Sequence, residues 1–113
     1  MAIIYNTIER VGSRSQTAVV EIDLAWDADQ AVIPHETGAE TAINGRAKVS
    51  TDNDGYWEIQ DLVANDDITP VNNVYVVTEY DDDESTVYYV YLTDPVGNDW
   101  IGDVAIAKPA WMA

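Results

Sequence analysis

The chain contains no cysteine and no phenylalanine, and only five of its 113 residues are basic. Without cysteine there is no disulfide scaffold, no Cys-based zinc site and no thiol nucleophile. Without phenylalanine, aromatic packing falls to four tryptophans and seven tyrosines, whose polar tips sit at surfaces or seek hydrogen-bond partners. No stretch approaches the ~20 apolar residues of a membrane span, so no membrane insertion is expected. The opening Met1-Ala2-Ile3-Ile4-Tyr5 is too short for the apolar region of a signal peptide and lacks a basic flank.

What the chain has in excess is acid. Twenty-one Asp and Glu leave a net charge of −16, a field that repels phosphate backbones and argues against a nucleic-acid partner. That much like charge opposes a compact state in dilute buffer, whereas at ~1 M salt the Debye length falls to ~3 Å and the repulsion is screened. Many carboxylates beside only two lysines, Lys48 and Lys108, is the balance expected of a protein living in concentrated salt. Hydrophobic residues still make up 47%, enough to build a core, and the length is that of one domain.

The first 16 residues hold two arginines, Arg10 and Arg14, against one acid, Glu9, with Gly12, Ser13, Ser15 and Gln16 beside them. They read as an extended N-terminal arm or linker, with the domain body spanning 17–113. In the body the hydrophobic period is two. Val20, Ile22, Leu24 and Trp26 share one face while Glu21 and Asp23 take the other, the pattern of a half-buried strand. A strand is expected over Ala42–Thr51, interrupted at Asn44-Gly45. Asp52-Asn53-Asp54-Gly55 reads as a hairpin turn, because Gly, Asn and Asp tolerate the backbone that tight turns need. Tyr56–Leu62 returns, Val63–Asn73 reads as loop, and Val74–Tyr80 pairs with Thr86–Leu92 across the charged tip Asp81–Ser85. Trp100–Ala107 closes the domain. No helical period persists, so the fold expected is all-β, a single β-sandwich of six to eight strands, immunoglobulin-like or prealbumin-like.

Chemistry-bearing residues are few. His35 is the only histidine, and none of the four serines stands in a nucleophile-elbow context, so a catalytic triad is not expected. Asp52-x-Asp54-Gly55 resembles the middle of an EF-hand loop, but in that frame Ser50 and Asp61 would be the end ligands, with strands where helices belong. No metal, cofactor or catalytic residue is therefore assigned. Tyr88, Tyr89 and Tyr91 could stack on sugar rings, though the period places Tyr89 and Tyr91 on one face and Tyr88 on the other. Arg10 and Arg14 in the arm, and Trp111 and Met112 beyond Pro109, are the candidate assembly contacts.

The run VSTDNDGYWEIQDL (Val49–Leu62) resembles the signature of carboxypeptidase-regulatory-like, or prealbumin-like, β-sandwiches, in which a strand, a T-D-x-x-G turn and a W/Y-x-I return strand recur. With NDDITPVNNVYVVTEY, TVYYVYL and DWIGDV, the stretch Lys48–Val104 is similar to a domain of head-surface, minor tail and fibre proteins of tailed viruses of bacteria and archaea. The resemblance covers about half the chain and brings no catalytic residues. It implies a virion structural protein, made in the host cytoplasm and displayed on the virion surface. Its partners would be shell or tail proteins and copies of itself. No coiled-coil or collagen-like stalk is present, which favours a small capsid decoration subunit over a tail, baseplate or fibre component. A carbohydrate-binding or adhesin module is the reading from a different class.

Overall fold

A computed structural model describes residues 1–9, 18–27, 32–39, 41–81 and 84–112. Two sheets pack face to face as an all-β sandwich. A three-stranded sheet has the order β5-β1-β9, built from β5 (Tyr56–Leu62), β1 (Ala2–Thr7) and β9 (Asn98–Trp100). The five-stranded sheet has the order β10-β8-β7-β2-β4, from β10 (Ala105–Ile106), β8 (Glu84–Val90), β7 (Asn73–Asp81), β2 (Val19–Trp26) and β4 (Arg46–Ser50). A two-stranded ladder of β3 (His35–Glu36) and β6 (Ile68–Thr69) is separate from both.

The period of two carries the core. On β2 the inward residues Val20, Ile22 and Leu24 are buried and Glu21 and Asp23 face out, while Trp26 at the strand end remains 40% exposed. Ile4 from β1, Trp57 and Ile59 from β5, and Tyr75, Val77 and Val90 from β7 and β8 meet them in one cluster with Ile68, Leu92 and Ile101. Trp57 and Tyr75 are the largest fully buried side chains, filling the space that phenylalanines occupy in most cores.

Several expectations are corrected. The N-terminal segment is not an arm over Ala2–Thr7: β1 is the central strand of its sheet, antiparallel to β5 and parallel to β9. Ala2 and Ile4 are wholly buried, because alternation begins at residue 2 and only the polar stretch after it resembles a linker. Arg10 and Arg14 lie outside the described residues. The Ala42–Thr51 strand shortens to β4, with Ala42 only bridging His35. The closing segment Trp100–Ala107 is divided: β9 runs into a single helical turn, α1 (Ile101–Val104), which buries Ile101 and hands the chain across to β10.

The Val63–Asn73 segment is ordered by two buried amides. Asn65 Nδ2 donates to Asn73 Oδ1 (2.8 Å), Asn73 Nδ2 donates to the Pro70 carbonyl (2.7 Å), and the Leu92 amide donates to Asn65 Oδ1 (2.7 Å). Buried amides satisfied in this way fix a loop that would otherwise carry unpaired backbone groups. A cis peptide joins Thr69 and Pro70 within it.

Candidate functional site

The Asp52–Gly55 turn is a corner, not a hairpin. The strands on its two sides belong to different sheets, β4 to the five-stranded one and β5 to the three-stranded one. Asp52 organises it. Its Oδ1 accepts from the backbone amides of Asp54 (2.9 Å) and Tyr56 (3.0 Å), and its own amide donates to the Tyr56 carbonyl (2.9 Å). Gly55 sits at φ +84 and its carbonyl accepts from the Ile8 amide (2.8 Å). The carboxylate that an EF-hand frame would turn toward a cation is instead spent on the turn's own backbone. Among the described residues there is no group of three or more His, Asp or Glu placed to hold a metal ion.

A second polar feature was not anticipated. Glu79 on β7 is 5% exposed, and its Oε2 accepts from Trp57 Nε1 (2.7 Å) and from Asn6 Nδ2 (2.8 Å). Trp100 Nε1 donates to Asn6 Oδ1 (3.0 Å), extending the network to β9. The Tyr88 hydroxyl beside it is raised above the usual phenol range, by burial first and then by the charge of Glu79 and a hydrogen bond to it. The donors come from all three strands of one sheet and the carboxylate from the other, so the network is a clamp between the sheets. The sequence held its signal: Glu79 shares the inward parity of Tyr75 and Val77, opposite Trp57.

The tyrosines divide as the period requires. Tyr88 packs against the core. Tyr91 takes the outer side, where its hydroxyl donates to Asp66 Oδ1 (2.7 Å) and its pKa is pushed up to about 12, by burial first and then by Asp66. Tyr88, Tyr89 and Tyr91 are all half-buried and do not form one flat aromatic face. Trp111 and Met112 are half-buried too, in a turn closed by the Met112 amide on the Pro109 carbonyl (3.1 Å). His35 lies on β3, its Nδ1 2.7 Å from the Ile33 carbonyl oxygen.

The third feature is the open side of the sandwich, where the edge strands β4 and β5 lie side by side. Between them is a cleft of about 110 Å³, floored by Ile22, Ile59, Leu62 and Tyr75 and rimmed by Arg46, Gln60 and Asp61. Asp61 has φ +61 and absorbs a bulge in β5: Ala2 pairs with Leu62 but Ile4 with Ile59, which leaves one extra residue on the edge strand. Across β4 the exposed Arg46 donates to Asp23 (2.8 Å), and Lys48 lies 3.8 Å from Glu21. Compared with known proteins, the chain matches no family model and no curated protein.

Proposed function

We propose that the protein is a structural subunit of a virus particle, a capsid decoration or head-surface component of a tailed virus whose host lives in concentrated salt. The observation that carries this reading is the use made of the Val49–Leu62 run. Its T-D-x-x-G turn is the corner at which the chain changes sheets, and its W-x-I return strand delivers Trp57 and Ile59 to the core. The resemblance to sandwich domains of virion proteins rests on this same run, and the burial of its W-x-I strand in the core of a sandwich supports it. The −16 charge supports the saline setting, because a body so acidic is compact most readily where salt screens it. A tail or fibre position and a glycan-binding role rank below this one, the latter because the three tyrosines are divided between two faces.

Mass spectrometry of purified particles from cells that carry the gene tests the proposal. A fixed copy number relative to the shell protein supports it, and absence from the particles overturns it. A glycan array read with wild-type protein and a Tyr89→Ala variant separates the adhesin reading, which requires binding that the substitution abolishes.

A further inference from the structure

Four strands form the edges of the two main sheets. On one side of the sandwich β9 has three residues and β10 two, with α1 tying them together. On the other side β4 has five residues and β5 seven, joined by the Asp52–Gly55 corner. Neither pairs with a further described strand on its outer flank. Long open edges are templates for another strand, and proteins guard them with charge.

Here the guard has opposite sign on the two edges. β4 carries Arg46 and Lys48 and no acid, although the protein has only five basic residues against 21 acidic ones. β5 carries Glu58 and Asp61 and no base. Pairing β4 with β4 of another copy sets cation against cation, and β5 with β5 sets acid against acid, both destabilising when directly opposed. Only β4 against β5 joins opposite signs.

We propose that two copies associate through this open side, β4 of each pairing with β5 of the other. The chain reverses direction at the corner, so β4 and β5 are antiparallel and lie one in each sheet. A two-fold axis running along the strands in the plane of the open side then brings both antiparallel pairings together at once, a closed and self-complementary interface. Parity is kept across the joint. The outward row Glu21 and Asp23, then Arg46 and Lys48, continues into Glu58 of the second copy, and the inward row Ala47 and Val49 continues into Trp57 and Ile59. The half-buried Ile43, Ala47, Val49 and Val63, which pack at the margin of the core, lie along this side and are covered by the second copy. The inference rests on the fold and the charge pattern, not on the particle to which the protein belongs.

Two bodies of −16 repel in dilute buffer, so the dimer forms more readily near ~1 M salt, where only charges in contact still interact strongly. Sedimentation velocity of the full chain across a wide concentration range reads this directly. The expected result is a monomer–dimer equilibrium that strengthens with salt. Arg46→Glu with Lys48→Glu makes both edges acidic, and Glu58→Lys with Gln60→Lys makes both basic. Each variant alone dimerises at least about tenfold more weakly, while an equal mixture of the two forms a heterodimer. A wild-type protein that stays monomeric in both salts overturns the proposal. So do reversed variants that still self-associate, or a folded pair that fails to recombine. Should a variant fail to fold, hydrogen exchange of the wild type at low and high concentration decides. Protection gained by the amides of β4 and β5 supports the interface, and its absence there refutes it.

Discussion

Gly55 is the position at which a single methyl group tests the corner. At φ +84 an L-residue pays about 1–2 kcal/mol in backbone sterics alone. A Cβ built there would also overlap the Ile8 carbonyl oxygen, which belongs to backbone and cannot swing aside. Relief requires the end of β1 to move, and that loosens the bond from the Ile8 amide to the Gly55 carbonyl, worth about 0.5–1.5 kcal/mol. Gly55→Ala should therefore cost about 2–4 kcal/mol, and Gly55→Val more, since a β-branched residue at positive φ is an outlier. For a domain of this size the alanine variant should lose roughly 8–20 °C in Tm. Asp54, exposed and used only through its backbone amide, is the control, and Asp54→Asn should change stability by no more than about 0.5 kcal/mol. Asp52→Ala should fall between them, because the two amides that its carboxylate accepts can turn partly to water. Urea unfolding followed by circular dichroism in molar salt, with and without calcium, gives all four values. A small Gly55→Ala effect beside a large, calcium-dependent Asp54→Asn effect would refute the reasoning and make the turn a metal site.

Other consequences follow from the same contacts. Glu79→Gln keeps the volume but removes the charge from two short hydrogen bonds at Oε2, and should cost about 1–3 kcal/mol in chemical denaturation; an unchanged midpoint would remove the clamp between the sheets. Tyr75 is 1% exposed and its pKa is raised by burial from 10.0 to about 12. The unfolded phenol ionises first, so stability is complete below pH ~10 and declines toward pH ~12, by at most about 2–3 kcal/mol. Tyr75→Phe should flatten part of that alkaline decline, and an identical pH profile in the variant would count against it. Thermal unfolding should move to higher temperature between dilute buffer and ~1 M NaCl, because the −16 charge is then screened; a midpoint that falls or stays fixed removes the halophilic argument. Deleting Met1–Thr7 should leave a chain with no cooperative transition, since it removes the strand that links β5 to β9.

Period two was the legible part of the fold. It places β2, β5, β7 and β8 within a residue or two of their observed positions and marks the inward residues of β2 and β5, Trp26 at the strand end excepted, because a half-buried strand writes its environment into alternate side chains. Partnership was not legible. The corner showed its turn chemistry in Asp52 and Gly55, yet nothing local distinguishes a turn whose strands pair with each other from one whose strands join different sheets. β1 is obscured for another reason: the polar, basic stretch that follows its six residues hides the alternation of Ala2, Ile4 and Asn6. Glu79 was hidden by its type. A glutamate in an acidic chain reads as surface, and only its parity with Tyr75 and Val77 marks it as inward. The buried Asn65 and Asn73 carry no such mark, since an amide that orders a loop and one that faces water look alike in sequence.

The position of β1 changes where assembly devices are to be sought. An N-terminal arm that reaches for neighbours must be free to leave the body, yet Asn6 donates to the buried Glu79 and accepts from Trp100, and Ile8 is tied to the corner through Gly55. Releasing that strand would strip two of its neighbours, expose Ile4 and leave a buried carboxylate short of a donor, a cost of several kcal/mol against a total stability of about 5–15. The open edges ask for no such rearrangement. β4 and β5 already present their backbones in extended form, so pairing there orders little new chain and spends little conformational entropy. Strands that meet the solvent with opposite charge are thus the cheaper route to association, and the clamp around Glu79 serves it indirectly by holding β5 in place beside β4.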